Sequence, residues 1–197
     1  MRWSAFFIFA LLALLLELGL GPLWTLPVGP YLDAAPSLVL ILAVFVGLHA
    51  PREAAYGALF VLGVLTDLSR PLAVVEPVRD IVLLGPATLG YVAATYVLMQ
   101  FRTIVYRDSP VTMAVMTFAA GLAVHLVLVM LLMLRRLLPT DEVPDFDGSA
   151  QLLQRVINVI YSAILAAPAT LLLRRTQRWW AFIPARGMAA RGGLMMR

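Results

Sequence analysis

The chain has 197 residues, 62% of them hydrophobic and 13% charged, with a mean hydropathy of +0.92, a balance seldom met in a water-soluble domain. All 15 basic residues are arginine; with neither lysine nor cysteine, the chain has no Schiff-base amine, phosphate-loop ammonium, disulfide or thiolate. The net charge of +4 comes from arginines lying mostly between and after apolar stretches, which suits membrane lipid as a partner and argues against nucleic acid.

Crossing roughly 30 Å of hydrocarbon takes about 20 mostly apolar residues in a helix. On that measure six stretches read as transmembrane helices: 3–20, 36–50, 54–68, 81–99, 110–134 and 152–173. Arg2 ahead of an apolar run also fits a secretory signal. The run is long for one, however, Glu17 interrupts it, and no small-residue cleavage site follows at once, so an uncleaved first helix is expected. The second and third spans are short and only 49–53 separates them; tilt, re-entrance or flanking residues must make up the length.

Asp67 closes the third span, where composition makes it a marker of the water boundary, although a carboxyl there also suits backbone N–H groups or an arginine such as Arg70 or Arg79. Gly57, Gly63, Gly85 and Gly90, with Ala58, Ala87 and Ala94, offer a small-residue face for close helix packing. Pro86 and Pro168 are expected to kink the fourth and sixth spans. The connection 138–151 is acidic and carries proline and glycine, as a solvated loop does. Trp3, Trp24, Trp179 and Trp180 flank the first and last spans and read as anchors at a lipid interface. The expected organisation is a single transmembrane domain over 1–178, then an arginine- and glycine-rich cytoplasmic tail over 179–197, without order or held to anionic headgroups. No internal repeat stands out, and no ten-residue block alternates with period two, which argues against a barrel. The fold class expected is therefore an all-α bundle of about six transmembrane helices.

Placing both termini in the cytoplasm puts Arg2, Arg52, Arg102, Arg107 and the six arginines from Arg174 onward inside, against five outside, the asymmetry expected of cytoplasmic loops. Three strongly polar residues then fall within the apolar cores, all in the outer half: Glu17, His125 and Asn158. Such residues are functional candidates because lipid makes them costly. They suit a cluster in which carboxyl, imidazole and amide satisfy one another, or three separate interhelical contacts, the commoner use of such side chains. Metalloprotease, phosphate-loop, nucleophile-elbow and dinucleotide signatures do not occur, and the two histidines lie on different spans. A non-enzymatic protein with no cofactor and no metal is expected.

The run APSLVLILAVFVGLHAPREAAYGALFVLGVLTDL over 35–68 resembles the rod shape-determining membrane protein family MreD. That family has a proline opening its second span, a short basic turn, a small-residue third span and a glycine–apolar–apolar–any–aspartate–apolar ending. Here these are Pro36, Arg52, Gly57, Gly63 and Asp67, and the likeness continues through Gly90 and Tyr91 to Phe101 and Arg102. It has motif-level detail over 35–102 and matches in size and span order over 1–175. The acidic stretch from Asp141 to Asp147 and the arginine-glycine tail are longer than the family pattern, which leaves partner contacts at those ends open.

The resemblance implies a component of the lateral wall-elongation machinery in the bacterial inner membrane. It would contact an MreC-like protein, and through it the MreB filament, RodA and a penicillin-binding protein. The implied fold is similar to the six-helix S-component of energy-coupling-factor transporters, with the small-residue faces receiving the partner's single helix. Self-association stays open. A small-molecule-binding transporter subunit is the alternative, suited by an outer-half polar cluster; an intramembrane enzyme acting on lipid is a third reading.

Overall fold

The computed structural model describes residues 1–29, 32–69, 72–74, 79–81, 84–106, 108–136 and 148–182. Among the described residues the chain is mostly helical, with seven helices: α1 (Trp3–Gly19), the single turn α2 (Gly21–Trp24), α3 (Leu38–His49), α4 (Arg52–Ser69), α5 (Pro86–Phe101), α6 (Pro110–Arg136) and α7 (Gly148–Trp180). Each of the six apolar stretches coincides with one of the longer helices. Two of these, over Pro110–Leu134 and Leu152–Trp180, are long and apolar enough to cross a membrane.

Two antiparallel hairpins interrupt the all-α expectation. Strand β1 (Leu26–Gly29) pairs with β2 (Leu32–Ala34), and β3 (Leu72–Val74) pairs with β4 (Arg79–Ile81). Ile81 therefore belongs to a strand, and the fourth helix starts at Pro86 rather than at 81. Pro86 sits at the first helical turn, where its missing N–H has no helical partner to lose, so it starts α5 instead of kinking it. Pro168 does lie inside α7. That helix is longer than the expected 152–173 and takes in Trp179 and Trp180, so the ordered unit runs past 178. Most of the acidic connection and residues 183–197 lie outside the described residues.

The core is arranged around α3. All ten residues from Val39 to Leu48 are buried, as befits a helix apolar on every face. It packs against α1, α4, α5, α6 and α7. At 12 residues it is only about 18 Å long, against about 50 Å for α7. Its ends therefore lie level with the sides of its neighbours, and its terminal N–H and C=O groups must be met by protein.

The outer faces are apolar too. Ile8, Leu11 and Leu15 on α1, Val111, Leu126 and Met130 on α6, and Ile164, Leu171 and Leu172 on α7 are all exposed. Three threonine hydroxyls, by contrast, lie inside: Thr95, Thr117 and Thr170 are buried, each donating to the carbonyl four residues back, at 2.8, 2.7 and 2.6 Å. The helix itself thus satisfies these groups at no cost in partners from other helices.

The bundle has two distinct ends. The start of α1 and the finish of α7 meet at one, where Arg2 N donates to Trp180 O at 3.0 Å. Near them are the ends of α3 and α5, where Arg102 Nη1 donates to Ala50 O at 3.0 Å, and the start of α6, where Arg174 Nη1 donates to Asp108 O at 3.2 Å. The finish of α1 and of α4, the starts of α3 and α5, and the hairpins lie at the opposite end.

Candidate functional site

At the hairpin end, two acidic side chains meet the starts of helices, Asp67 buried and Glu17 half-buried. Asp67 is 7% exposed. Its Oδ2 accepts from Gly85 N at 3.0 Å, Thr88 N at 3.0 Å and Thr88 Oγ1 at 2.7 Å, and its Oδ1 accepts from Ala87 N at 2.9 Å. These are donors that the first turn of α5 cannot use internally, and negative charge is favoured there by the helix dipole. Gly85 makes the geometry possible: its φ of +128° turns its N–H toward Asp67, a conformation glycine alone adopts readily. Asp67 is therefore no marker of the water boundary; it is the cap of the following helix.

Glu17 does the same for α3. Its carboxyl oxygens lie 3.3 and 3.2 Å from the donating Ser37 Oγ, and Oε2 accepts from Val39 N at 3.0 Å. Ser37 Oγ in turn accepts from Leu40 N at 3.3 Å as the N-cap of α3. From the other side, Asn158 Oδ1 accepts from Ala35 N at 3.0 Å and Ser162 Oγ from Ser37 N at 2.8 Å. Gln154 Nε2 adds a bond to Asn158 Oδ1 at 3.2 Å and another to Asp33 O. Four successive features of the α3 entry, from Ala35 to Val39, are thus held between α1 and α7.

This geometry redistributes the expected cluster. Glu17 and Asn158 are brought together, but through the backbone that both of them bind. His125 is placed between α6 and α7 instead, with its Nδ1 3.4 Å from Arg155 Nη1.

The two caps share a layout. Glu17 and Asp67 are each two residues from the last residue of their helix, each is followed by a two-stranded hairpin, and each reaches the start of the next long helix. The sequence separations are 20 and 22 residues in the first case and 18, 20 and 21 in the second. A helix–hairpin–helix unit therefore occurs twice, a repeat carried by one acidic residue per copy and invisible as sequence similarity.

The glycines divide by role. A Cβ at Gly63 would lie 2.5 Å from Thr88 Cα, and one at Gly90 would lie 2.7 Å from Val124 O, so these two sites permit the α4–α5 and α5–α6 crossings. A Cβ at Gly57 would lie 3.2 Å from the Trp3 ring. Gly85 has nothing within 4 Å and serves conformation, which removes it from the expected packing face. Gly63 and Gly90 are closed off within the chain, leaving no groove there for another protein's helix. A Cβ at Gly47 would lie 2.5 Å from Leu98, and one at Gly121 would lie 2.8 Å from Val159 and 2.9 Å from Leu40, close approaches that sequence reasoning missed. Each lies in an apolar run where glycine spacing gives no distinctive signal.

At the opposite end an aromatic group ties α7 to α3. Trp180 is 0% exposed, stacks on Phe9 at 4.9 Å and on Phe182 at 5.7 Å, and meets Phe45 edge-on at 5.6 Å. Its Nε1 donates to Thr176 Oγ1 at 3.1 Å, which lets the indole be fully enclosed. Trp180 is thus a core residue and not an interface anchor, whereas Trp3, Trp24 and Trp179 are exposed. His49 joins the group, stacked on Phe182 at 5.9 Å, with Nδ1 donating to Phe45 O at 2.8 Å and Nε2 3.5 Å from Asp108 Oδ1.

A shallow crevice with room for little more than one water molecule opens at the hairpin end beside Glu17, lined also by Leu14, Leu18, Val39, Thr66 and Ser69. Pro36 is buried at the entry to α3 and Arg52 is exposed at the first residue of α4. No group of three or more histidine and acidic side chains placed to hold a metal occurs among the described residues. Comparison of the chain with family models, with curated proteins and with solved structures finds no match.

Proposed function

We propose that the chain is a six-span protein of the bacterial inner membrane with both termini in the cytoplasm, acting without catalysis as an MreD-like scaffold of the wall-elongation complex. The membrane part is supported by the apolar outer faces of α1, α6 and α7 combined with hydroxyls bonded inside, the arrangement a bundle needs when its solvent is hydrocarbon. A short α3 is tolerated in such a bundle because its polar ends face protein rather than lipid. The cytoplasmic face would be the one carrying Arg2, Arg52, Arg102, Arg174, Arg175 and Arg178.

The observation that carries the scaffold reading is the use made of the polar side chains. Glu17, Asp67 and Asn158 are the groups a solute-binding subunit would turn toward its ligand, and each is instead bonded to the start of a helix. The same observation gives the resemblance its physical content: Pro36, Gly63 and Asp67 are where α3, α4 and α5 interlock. With the glycine faces closed, the single helix of an MreC-like partner packs on the apolar perimeter, and MreB, RodA and a penicillin-binding protein are reached through it.

The test is co-purification of the full chain with an MreC-like protein, with photo-crosslinking residues placed one at a time at the exposed positions Leu11, Phe60, Tyr96, Met130 and Ile164. Crosslinks on one or two adjacent helices are expected. A folded chain that retains no such partner would sink the scaffold reading, and retention of a small organic solute with an ATPase pair would favour the transporter alternative.

A further inference from the structure

We infer that the C-terminal half of α7 forms a binding site for one anionic phospholipid, which takes the acyl chain and the phosphodiester on a single continuous stripe. Ile164, Pro168, Leu172 and Arg175 follow one another at steps of three or four residues, and Arg178 and Trp179 lie three and four beyond Arg175, so all six share one face of the helix. All six are exposed, Trp179 at 63%. Along this face the chemistry changes within one turn, from hydrocarbon at Leu172 to guanidinium at Arg175, with an indole among the charges.

A lipid molecule has the same order of parts over the same distance: acyl chain, then phosphate, with the interface where tryptophan is favoured. Charge complementarity selects an anionic headgroup. Among the described residues neither Arg175 nor Arg178 has an acidic partner, whereas the neighbouring Arg174 is turned to Asp108 O. Two guanidinium groups one turn apart present forked donors to a phosphodiester, and two neighbouring arginines bind such a group better than one zwitterionic headgroup's balanced charge allows. The inference rests on the proposal that α7 spans a bilayer.

The test uses the full chain reconstituted into phosphatidylcholine vesicles that contain either brominated phosphatidylglycerol or brominated phosphatidylcholine. Quenching of Trp179 is read as the difference between the native chain and Trp179→Phe. Half-quenching is expected at a lower mole fraction of the anionic lipid, with the preference amounting to about fivefold per arginine. Arg178→Gln should reduce that preference about fivefold, whereas Arg2→Gln, which removes the same charge at the same end, should leave it in place. Equal quenching by the two lipids overturns the site, and so does an equal loss of preference in both variants, which would mean diffuse attraction. Failure to float with neutral vesicles would overturn the membrane reading as well, and is thereby told apart from loss of the lipid site alone.

Discussion

The first turn of a helix has several N–H groups with no carbonyl to meet them, and a carboxyl group has acceptor positions for more than one of them. Asp67 matches these needs almost completely, with three backbone N–H groups and one hydroxyl. Asp67→Ala should therefore destabilise the chain by about 2–4 kcal/mol, since buried donors are left without a partner. Asp67→Asn, which keeps one oxygen, should fall between the two in denaturant titrations of the detergent-solubilised protein. Glu17→Gln and Asn158→Ala act on the same short segment from opposite sides. A double-mutant cycle on that pair should show coupling of about 0.5 kcal/mol or more, and strict additivity would count against the shared clamp. The sequence identified Glu17, His125 and Asn158 as residues needing an account, because polar groups in apolar runs are costly, while Asp67 read there as a marker of the water boundary. The tasks of Glu17, Asp67 and Asn158 were hidden because the groups they bind are backbone N–H, which every residue but proline carries and which leave no mark in the sequence.

Among the elements, the long helices could be read from hydrophobic runs, while their limits depended on contacts made in the fold. The start of α5 is set by Gly85, Pro86 and the reach of Asp67; the finish of α7 is set by a pocket for Trp180 formed by α1 and α3. The hairpins escaped because strands of three or four residues are too short for alternation to register. Packing at this level also makes firm demands. Gly63→Leu should cost at least about 3 kcal/mol, since the added side chain meets the α5 backbone, which cannot swing aside as a flexible side chain would. Thermal unfolding in detergent, monitored by circular dichroism, will show whether this loss occurs without any partner present. Trp180→Ala, by removing the largest buried side chain, should cost about 3–5 kcal/mol by the same measurement.

For the molecule as a whole, the layered plan is a fully buried α3, a ring of helices around it and an apolar exterior. The proposed topology makes a direct prediction: reporter domains fused before Met1 and after Arg197 should both be active as cytoplasmic markers, and a marker placed at 29–32 should report the opposite side. An N-terminal and a C-terminal reporter on different sides would contradict the even number of spans. The high hydrophobic content made long apolar helices and an apolar exterior legible in the sequence. The central position of α3 was not legible, since a helix facing protein all round and one facing lipid on one side are both uniformly apolar.

The doubled helix–hairpin–helix unit bears on how the chain is made. Each acidic cap closes a loop of about 20 residues, which is inexpensive in chain entropy, and needs nothing from later in the sequence. The two units can therefore assemble one after the other as they leave the ribosome, with α7, synthesised last, arriving to fasten Asn158 and Ser162 onto a segment that Glu17 already holds. Truncated nascent chains ending just after α5 should accordingly be protease-resistant, well before the closing helix has been translated.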